Sequence, residues 1–158
     1  MTIKIDNKDI KKILQNVKTI AMVGVSANQK KEDNLKIKRR PSIIVMQYLQ
    51  EFGYKVIPVN PFSVGKKLYG EKVVEKLEDI DLKIDLVNVF RPSLEAPKIA
   101  KETVKIGAKV FWLQYGIENI EAKQIVEESN IIYVENKCIK QEYQKSFLKM
   151  SPVFPVLQ

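Results

Sequence analysis

Five short apolar runs, rich in β-branched residues, recur along this chain: TIAMVGV at 19–25, KVIPV at 55–59, DLVNVF at 85–90, KVFWL at 109–113 and IIYV at 131–134. Each is too short for a helix and lacks the polar alternation of a half-exposed strand, so each reads as a strand buried on both faces. Segments of helical period lie between them. Asp6 or Asn7 caps a first helix with Ile10, Ile13, Leu14 and Val17 on one stripe. A second runs from Pro41 to Phe52, with Val45, Leu49 and Phe52 aligned and Gly53 as its stop. A short acidic helix is expected around Val74–Ile80, a further one from between Pro92 and Pro97 to Gly107, and a last one over Asn119–Ser129. Alternating strands and helices at this spacing require right-handed crossovers and a parallel sheet covered on both sides. The expected fold is therefore α/β, a Rossmann-like doubly wound parallel sheet of about five strands with helices on both faces. Residues 1–143 are expected to form a single domain. Gln144–Gln158 is a tail with two prolines, either frayed or packed on this chain or a partner.

In such sheets the ligand crevice lies beyond the carboxyl ends of the strands, at the point where the strand order reverses; in the Rossmann order this is between the first strand and the fourth. The two loops that border it are taken to be those after the 19–25 and 85–90 strands. The first supplies Gly24, Val25, Ser26 and Asn28 and leads to Arg40, Pro41 and Ser42 at a helix start; the second supplies Phe90, Arg91, Pro92 and Ser93. Two Arg-Pro-Ser triplets thus face each other, and with Arg39 they use every arginine in the chain. A helix start offers free N–H groups and a positive dipole end, and Ser42 adds a hydroxyl, so a phosphate is the ligand expected there.

Charge supports that reading only where it is arginine. The net charge is +8, but 24 of the 27 basic residues are lysines spread along the chain, a pattern typical of a solvated surface. The dinucleotide fingerprint G-x-G-x-x-G is missing, since Gly24 stands alone and the second strand ends in Asn60-Pro61 rather than an acid; there is no P-loop either. The absence of histidine disfavours imidazole metal sites, histidine-based triads and phosphohistidine chemistry. Trp112 reads as core, whereas Gln114, Tyr115 and Gly116 at the end of that strand suit a pocket wall. The lone Cys138, between Lys137 and Lys140, reads as an inert, partly buried thiol. Charges scattered through the first residues and the lack of an eighteen-residue apolar run argue against secretion or membrane insertion, and a cytoplasmic location is expected.

Taken together, GVSAN at 24–28, RPS at 40–42, YLQEFGYKVIPVNP at 48–61, WLQYGIEN at 112–119 and NKCIK at 136–140 resemble the small CoA-binding protein family. Its Rossmann-like domain is similar to the CoA-binding domain of the succinyl-CoA synthetase α subunit. The resemblance covers roughly residues 10–143 and implies coenzyme A as ligand rather than a reaction. By that resemblance Gly24, Val25 and Ser26 with Arg40, Pro41 and Ser42 cradle the pyrophosphate, and Asn60 and Pro61 lie beside the nucleotide. Phe90 and Arg91 form the opposite wall, and Gln114, Tyr115, Gly116, Ile117 and Asn119 the pantetheine side. A homodimer is also implied. Two features depart from the family pattern: Gln29–Arg39 is an insertion, and Tyr143 stands where many members carry histidine. The insertion either folds over the ligand as a lysine-rich flap, meeting the 3′-phosphate, or stays disordered without it.

The expected function is binding of coenzyme A or an acyl-CoA, without catalysis of its own. An alternative is a thiol-exchange or CoA-ligase-related enzyme component; the thiol-exchange version rests on Cys138 forming a mixed disulfide with CoA, and the missing histidine speaks against the phosphohistidine ligase route. A less favoured one is nucleic-acid binding through the lysine-rich loop 29–40, which lacks interleaved aromatics.

Overall fold

A computed structural model describes residues 4–26, 30–32, 36–38 and 41–148. In chain order the elements are α1 (Asn7–Asn16), β1 (Thr19–Val23), β2 (Lys30–Glu32), β3 (Lys36–Lys38), α2 (Pro41–Glu51) and β4 (Lys55–Val59). They continue with β5 (Lys67–Leu68), β6 (Glu71–Lys72), β7 (Leu86–Val89), α3 (Ala96–Ile106), β8 (Val110–Leu113), α4 (Ile120–Glu128), β9 (Ile132–Val134) and α5 (Ile139–Tyr143).

The five apolar runs become one parallel sheet in the order β4-β1-β7-β8-β9. The strand order reverses between β1 and β7, the first and third strands of the sheet rather than the first and fourth, because only β4 lies on the outer side of β1. The two loops assigned to the crevice still border the reversal. Successive residues of each strand enter opposite cores, as a period of two requires. Ile20 and Met22 pack with Ile10, Leu14, Met46, Leu49 and Trp112 under α1, α2 and α5. Ala21 and Val23 pack with Val87, Phe111, Ile99, Ala100 and Val126 under α3 and α4.

Local chemistry sets the element ends. Asp6 and Asp9 form a reciprocal capping box at α1. Gly107, at φ 72°, closes α3 in the left-handed conformation that glycine adopts without a Cβ penalty. The Asp85 carboxylate accepts the backbone N–H groups of Lys18 (2.9 Å) and Thr19 (3.0 Å), which fixes the start of β1 beside β7.

Several expectations change in detail. The helix around Val74–Ile80 is reduced to a 3-10 turn at Leu77–Asp79, because Val74 instead bridges to Val59 at the edge of the sheet. Both proline starts are used: Ser93–Glu95 forms a 3-10 turn after Pro92, and α3 follows with Pro97 in its first turn. Within the insertion, β2 and β3 pair antiparallel, Lys30 opposite Lys38 and Glu32 opposite Lys36; Arg39 and Arg40 lie outside the described residues. The first part of the tail continues α5 as a π-helical turn, Gln144–Leu148. There Tyr143 meets Tyr48 and Tyr54 edge-on and Phe52 and Phe147 at a tilt, with ring centroids 4.7–6.1 Å apart, so it joins an aromatic cluster. Residues 149–158, the rest of the expected tail, lie outside the description. No helix among the described residues is long and apolar enough to cross a membrane.

Candidate functional site

The two crevice loops touch at Gly24. Its N–H continues the ladder to the Val59 carbonyl (2.8 Å), and the Phe90 N–H reaches the Val23 carbonyl (2.8 Å). At φ +97° a Cβ on residue 24 would stand 2.7 Å from the Phe90 carbonyl oxygen and 2.8 Å from Arg91 Cδ. Only glycine lets the Arg91 stem lie across the end of β1. Beyond it Val25 turns into the core, and the Ser26 N–H donates to Ser42 Oγ at 3.3 Å, joining the loop after β1 to the first turn of α2. A helix start carries free N–H groups and a positive dipole end, and Pro41 at the start of α2 lines the groove beside Arg91.

Asn60 closes the other side. Its Nδ2 donates to the Val25 carbonyl (2.8 Å) and its Oδ1 accepts the Phe62 N–H (2.9 Å), so this buried side chain ties the loop after β4 to the loop after β1. The Asn60-Pro61-Phe62 turn then forms one wall of a cavity of about 230 Å³ whose other wall is α3. Val23, Gly24 and Ile99 line its apolar side, and Glu75, Lys76, Arg91, Glu95, Lys98 and Glu102 bring charge to it. Phe62, 82% exposed, offers a ring at its mouth. Arg91 is held by Glu95 through two parallel bonds, Nε to Oε1 at 3.0 Å and Nη2 to Oε2 at 2.6 Å. These bonds keep the Glu95 carboxyl below the usual carboxylate range and raise the guanidinium further. The Nη1 group of Arg91 is outside this pair and remains available to an anion. Glu102 goes the other way, since burial pushes its carboxyl up.

On the far side of Arg91 an open groove of about 760 Å³ runs between the loops after β7 and β8 and the start of α5. Pro41, Phe90, Arg91 and Pro92 line one end, and Gln114, Tyr115, Ile117, Cys138 and Gln141 the other. Its floor is held by a buried amide network. Asn88, opposite Met22 and Trp112 in the sheet, donates from Nδ2 to the Trp112 carbonyl (3.5 Å) and to Gln114 Oε1 (3.3 Å). Gln114 Oε1 also accepts the Ile139 N–H (3.3 Å). The rim is zipped to the next loop: the Gly116 N–H donates to Asn136 Oδ1 (2.6 Å), and the Asn136 N–H to the Ile117 carbonyl (3.1 Å).

The structure thus gathers Gly24, Ser26, Pro41, Ser42, Pro61, Phe90, Arg91, Gln114, Tyr115 and Ile117 around one crevice. Asn119 supports it from behind: Oδ1 caps α4 at the Ala122 N–H (2.8 Å), and Nδ2 donates to the Ser93 carbonyl (2.9 Å). Trp112 is core, fully buried, with Nε1 on the Lys137 carbonyl. Sequence reasoning did not select Phe62, Lys76, Glu95, Lys98 or Gln141, which line the cavity and the groove. The one available signal was the i,i+4 spacing of Arg91 and Glu95. Cys138 is partly buried, as expected, but it faces the groove. Among the described residues no cluster of cysteine and carboxylates is arranged to hold a metal ion.

A parallel sheet whose strand order reverses between β1 and β7, with cavities beyond its carboxyl ends, defines a Rossmann-like α/β fold. Sequence comparison makes this specific: residues 18–144 match the CoA-binding domain model, and the chain belongs to that family. It is 41% identical over 132 residues to the uncharacterized protein YneT of Bacillus subtilis, covering 84% of this chain and 90% of that one. It is 25% identical over 137 residues to the ADP-forming acetate–CoA ligase of Methanocaldococcus jannaschii, covering 81% of this chain but 18% of the ligase. Among solved structures, a hypothetical protein from Pyrococcus horikoshii superposes with a TM-score of 0.78 at 36% identity, covering 92% of this chain and 96% of that one.

Proposed function

We propose that this protein binds coenzyme A or an acyl-CoA across the β1/β7 reversal, acting as a binding module without chemistry of its own. One observation carries the reading: the compact cavity and the long groove meet at Arg91, which lines both, beside the glycine-bounded end of β1. Coenzyme A has the matching three-part form. Its adenosine fits between Pro61-Phe62 and α3, its pyrophosphate between Arg91 and the first turn of α2, and its pantetheine arm in the groove toward Cys138. Arg40, one residue before α2, completes the anion site on the sequence argument. Lys76 and Lys98 provide positive charge in the adenosine cavity, where the 3′-phosphate would lie.

Calorimetric titration with CoA, dephospho-CoA and NAD tests this. CoA is expected to bind more tightly than the other two, and Arg91→Ala and Arg40→Ala each to weaken it at least about tenfold, equivalent to ~1.4 kcal/mol. Absence of CoA binding, or unchanged affinity in both variants, would refute the assignment.

The position of Cys138 on the groove favours a second reading, a thiol-exchange protein. Mass spectrometry of protein purified without reductant decides it, since that role requires an adduct of the mass of CoA on Cys138.

A further inference from the structure

Gln114 is 7% exposed, lies on the groove, and has only half of its amide satisfied. Which half follows from the network around it. Asn88 is oriented by the Trp112 main-chain carbonyl, which can only accept, so Asn88 must present its amide nitrogen on that side. That nitrogen is also the partner of Gln114, and the second partner, the Ile139 N–H, can only donate. Two donors therefore point at one atom of Gln114, and that atom must be the oxygen. Its Nε2 group, turned away from both, has no partner among the described residues and fronts the groove. That donor stays open to solvent at the groove, where a ligand can supply its acceptor, whereas the buried polar atom without a partner in this network is Asn88 Oδ1.

Resting on the coenzyme A reading above, we propose that Gln114 Nε2 is a fixed hydrogen-bond donor that reads a carbonyl oxygen in the pantetheine arm or in the acyl thioester it carries. The surroundings select that chemistry. Phe90, Tyr115 and Ile117 give the groove apolar walls, suited to a chain of methylenes, so a polar group arriving at Gln114 must accept rather than donate. A hydrocarbon leaves the donor unsatisfied and a thiol sulfur accepts only weakly; a carbonyl satisfies it. Asn88 and the start of α5 are then positioning groups, since they decide which end of the amide meets the ligand.

Gln114→Glu isolates the effect. A carboxylate keeps an oxygen for Asn88 and Ile139 and replaces the groove-facing donor with an acceptor; it also adds a negative charge, and the armless ligand, which carries the same phosphates, controls for that repulsion. Wild type and variant are titrated with CoA, acetyl-CoA and adenosine 3′-phosphate 5′-diphosphate, the half of CoA that lacks the arm, and thermal midpoints are recorded alongside. The expected result is an affinity loss of tenfold or more for an arm-bearing ligand, the armless one being spared. A loss shared by CoA and acetyl-CoA assigns the donor to an amide carbonyl of the arm, and a loss confined to acetyl-CoA assigns it to the thioester. Equal losses for all three ligands, or none, would overturn the proposal. Failure of the wild type to bind CoA would instead be a failure of the ligand assignment, read from a separate titration.

Discussion

Replacing Gly24 by alanine tests the joint on which the whole crevice depends. Two costs apply, and the structure separates them. The first is conformational: at φ +97° an L-residue is strained, by about 1–2 kcal/mol. The second is steric, because the new methyl would lie 2.7 Å from the Phe90 carbonyl oxygen and 2.8 Å from Arg91 Cδ. The oxygen belongs to a backbone held by the Phe90 N–H bond to Val23, so it cannot simply swing aside. Overpacking of this kind costs about 1–3 kcal/mol. Gly53, just beyond α2, has the same φ of +97° with nothing within 4 Å of the place a Cβ would take, so Gly53→Ala carries the first cost alone. The measurement is the thermal midpoint, where about 2–4 °C is expected per kcal/mol for a chain of this size. Gly24→Ala should melt below Gly53→Ala by the steric share, about 2–12 °C. It should also bind CoA more weakly, because Arg91 must move, whereas Gly53→Ala should bind normally. Equal melting points for the two variants would show that the close approach of the crevice loops has no energetic weight, and the argument for Gly24 would fail.

Three further substitutions separate support from recognition. Asn60→Ala leaves the Val25 carbonyl and the Phe62 N–H without their partner and should cost about 1–3 kcal/mol in chemical denaturation. Asn119→Ala removes the α4 cap and the bond to Ser93; a loss of about 1 kcal/mol in stability with CoA affinity little changed is expected from the same assay and a titration. For Asp85, partial burial pushes the carboxyl up, but the Lys18 and Thr19 N–H groups and nearby Lys109 and Lys83 outweigh it, leaving the carboxyl below its ordinary value. Its stabilisation is therefore complete above about pH 4, the unfolded value, and disappears as pH falls through the lower folded value. Melting curves from pH 7 to pH 3 should show Asp85→Asn about 1–3 kcal/mol less stable at neutral pH and approaching wild type in acid; a constant gap would contradict the linkage.

The sheet was legible because burial on both faces writes itself as unbroken β-branched runs, and the crevice because the connection pattern dictates which loops meet at the reversal. Other parts had no such signature. A helix at Val74–Ile80 matched the acidic composition, but Val74 pairs with Val59 and leaves room for only one turn. The hairpin of β5 and β6 rests on Tyr69, at φ 48°, and Gly70, at φ 85°, a turn too short to carry a periodic pattern. Glu95, Lys98 and Glu102 read as the solvated stripe of a helix; only the docking of α3 against the Asn60-Pro61-Phe62 turn makes that stripe a cavity wall.

The polar residues selected from sequence divide by what remains unpaired after folding. Asn60 and Asn119 use both ends of their amides on the protein, so they set the shape of the crevice and have little left for a ligand. Arg91 uses one edge of its guanidinium on Glu95 and keeps the other, and Gln114 uses its oxygen and keeps its nitrogen. Residue type cannot make that distinction, because an asparagine that caps a helix and a glutamine that faces a groove look equally polar in a sequence. The partners make it, and they come from distant segments: Asn88 and Ile139 lie 26 and 25 residues from Gln114. On the proposed reading, recognition rests on donors that the protein has oriented through one bond and left open at another, and that is the property the Arg91 and Gln114 variants measure.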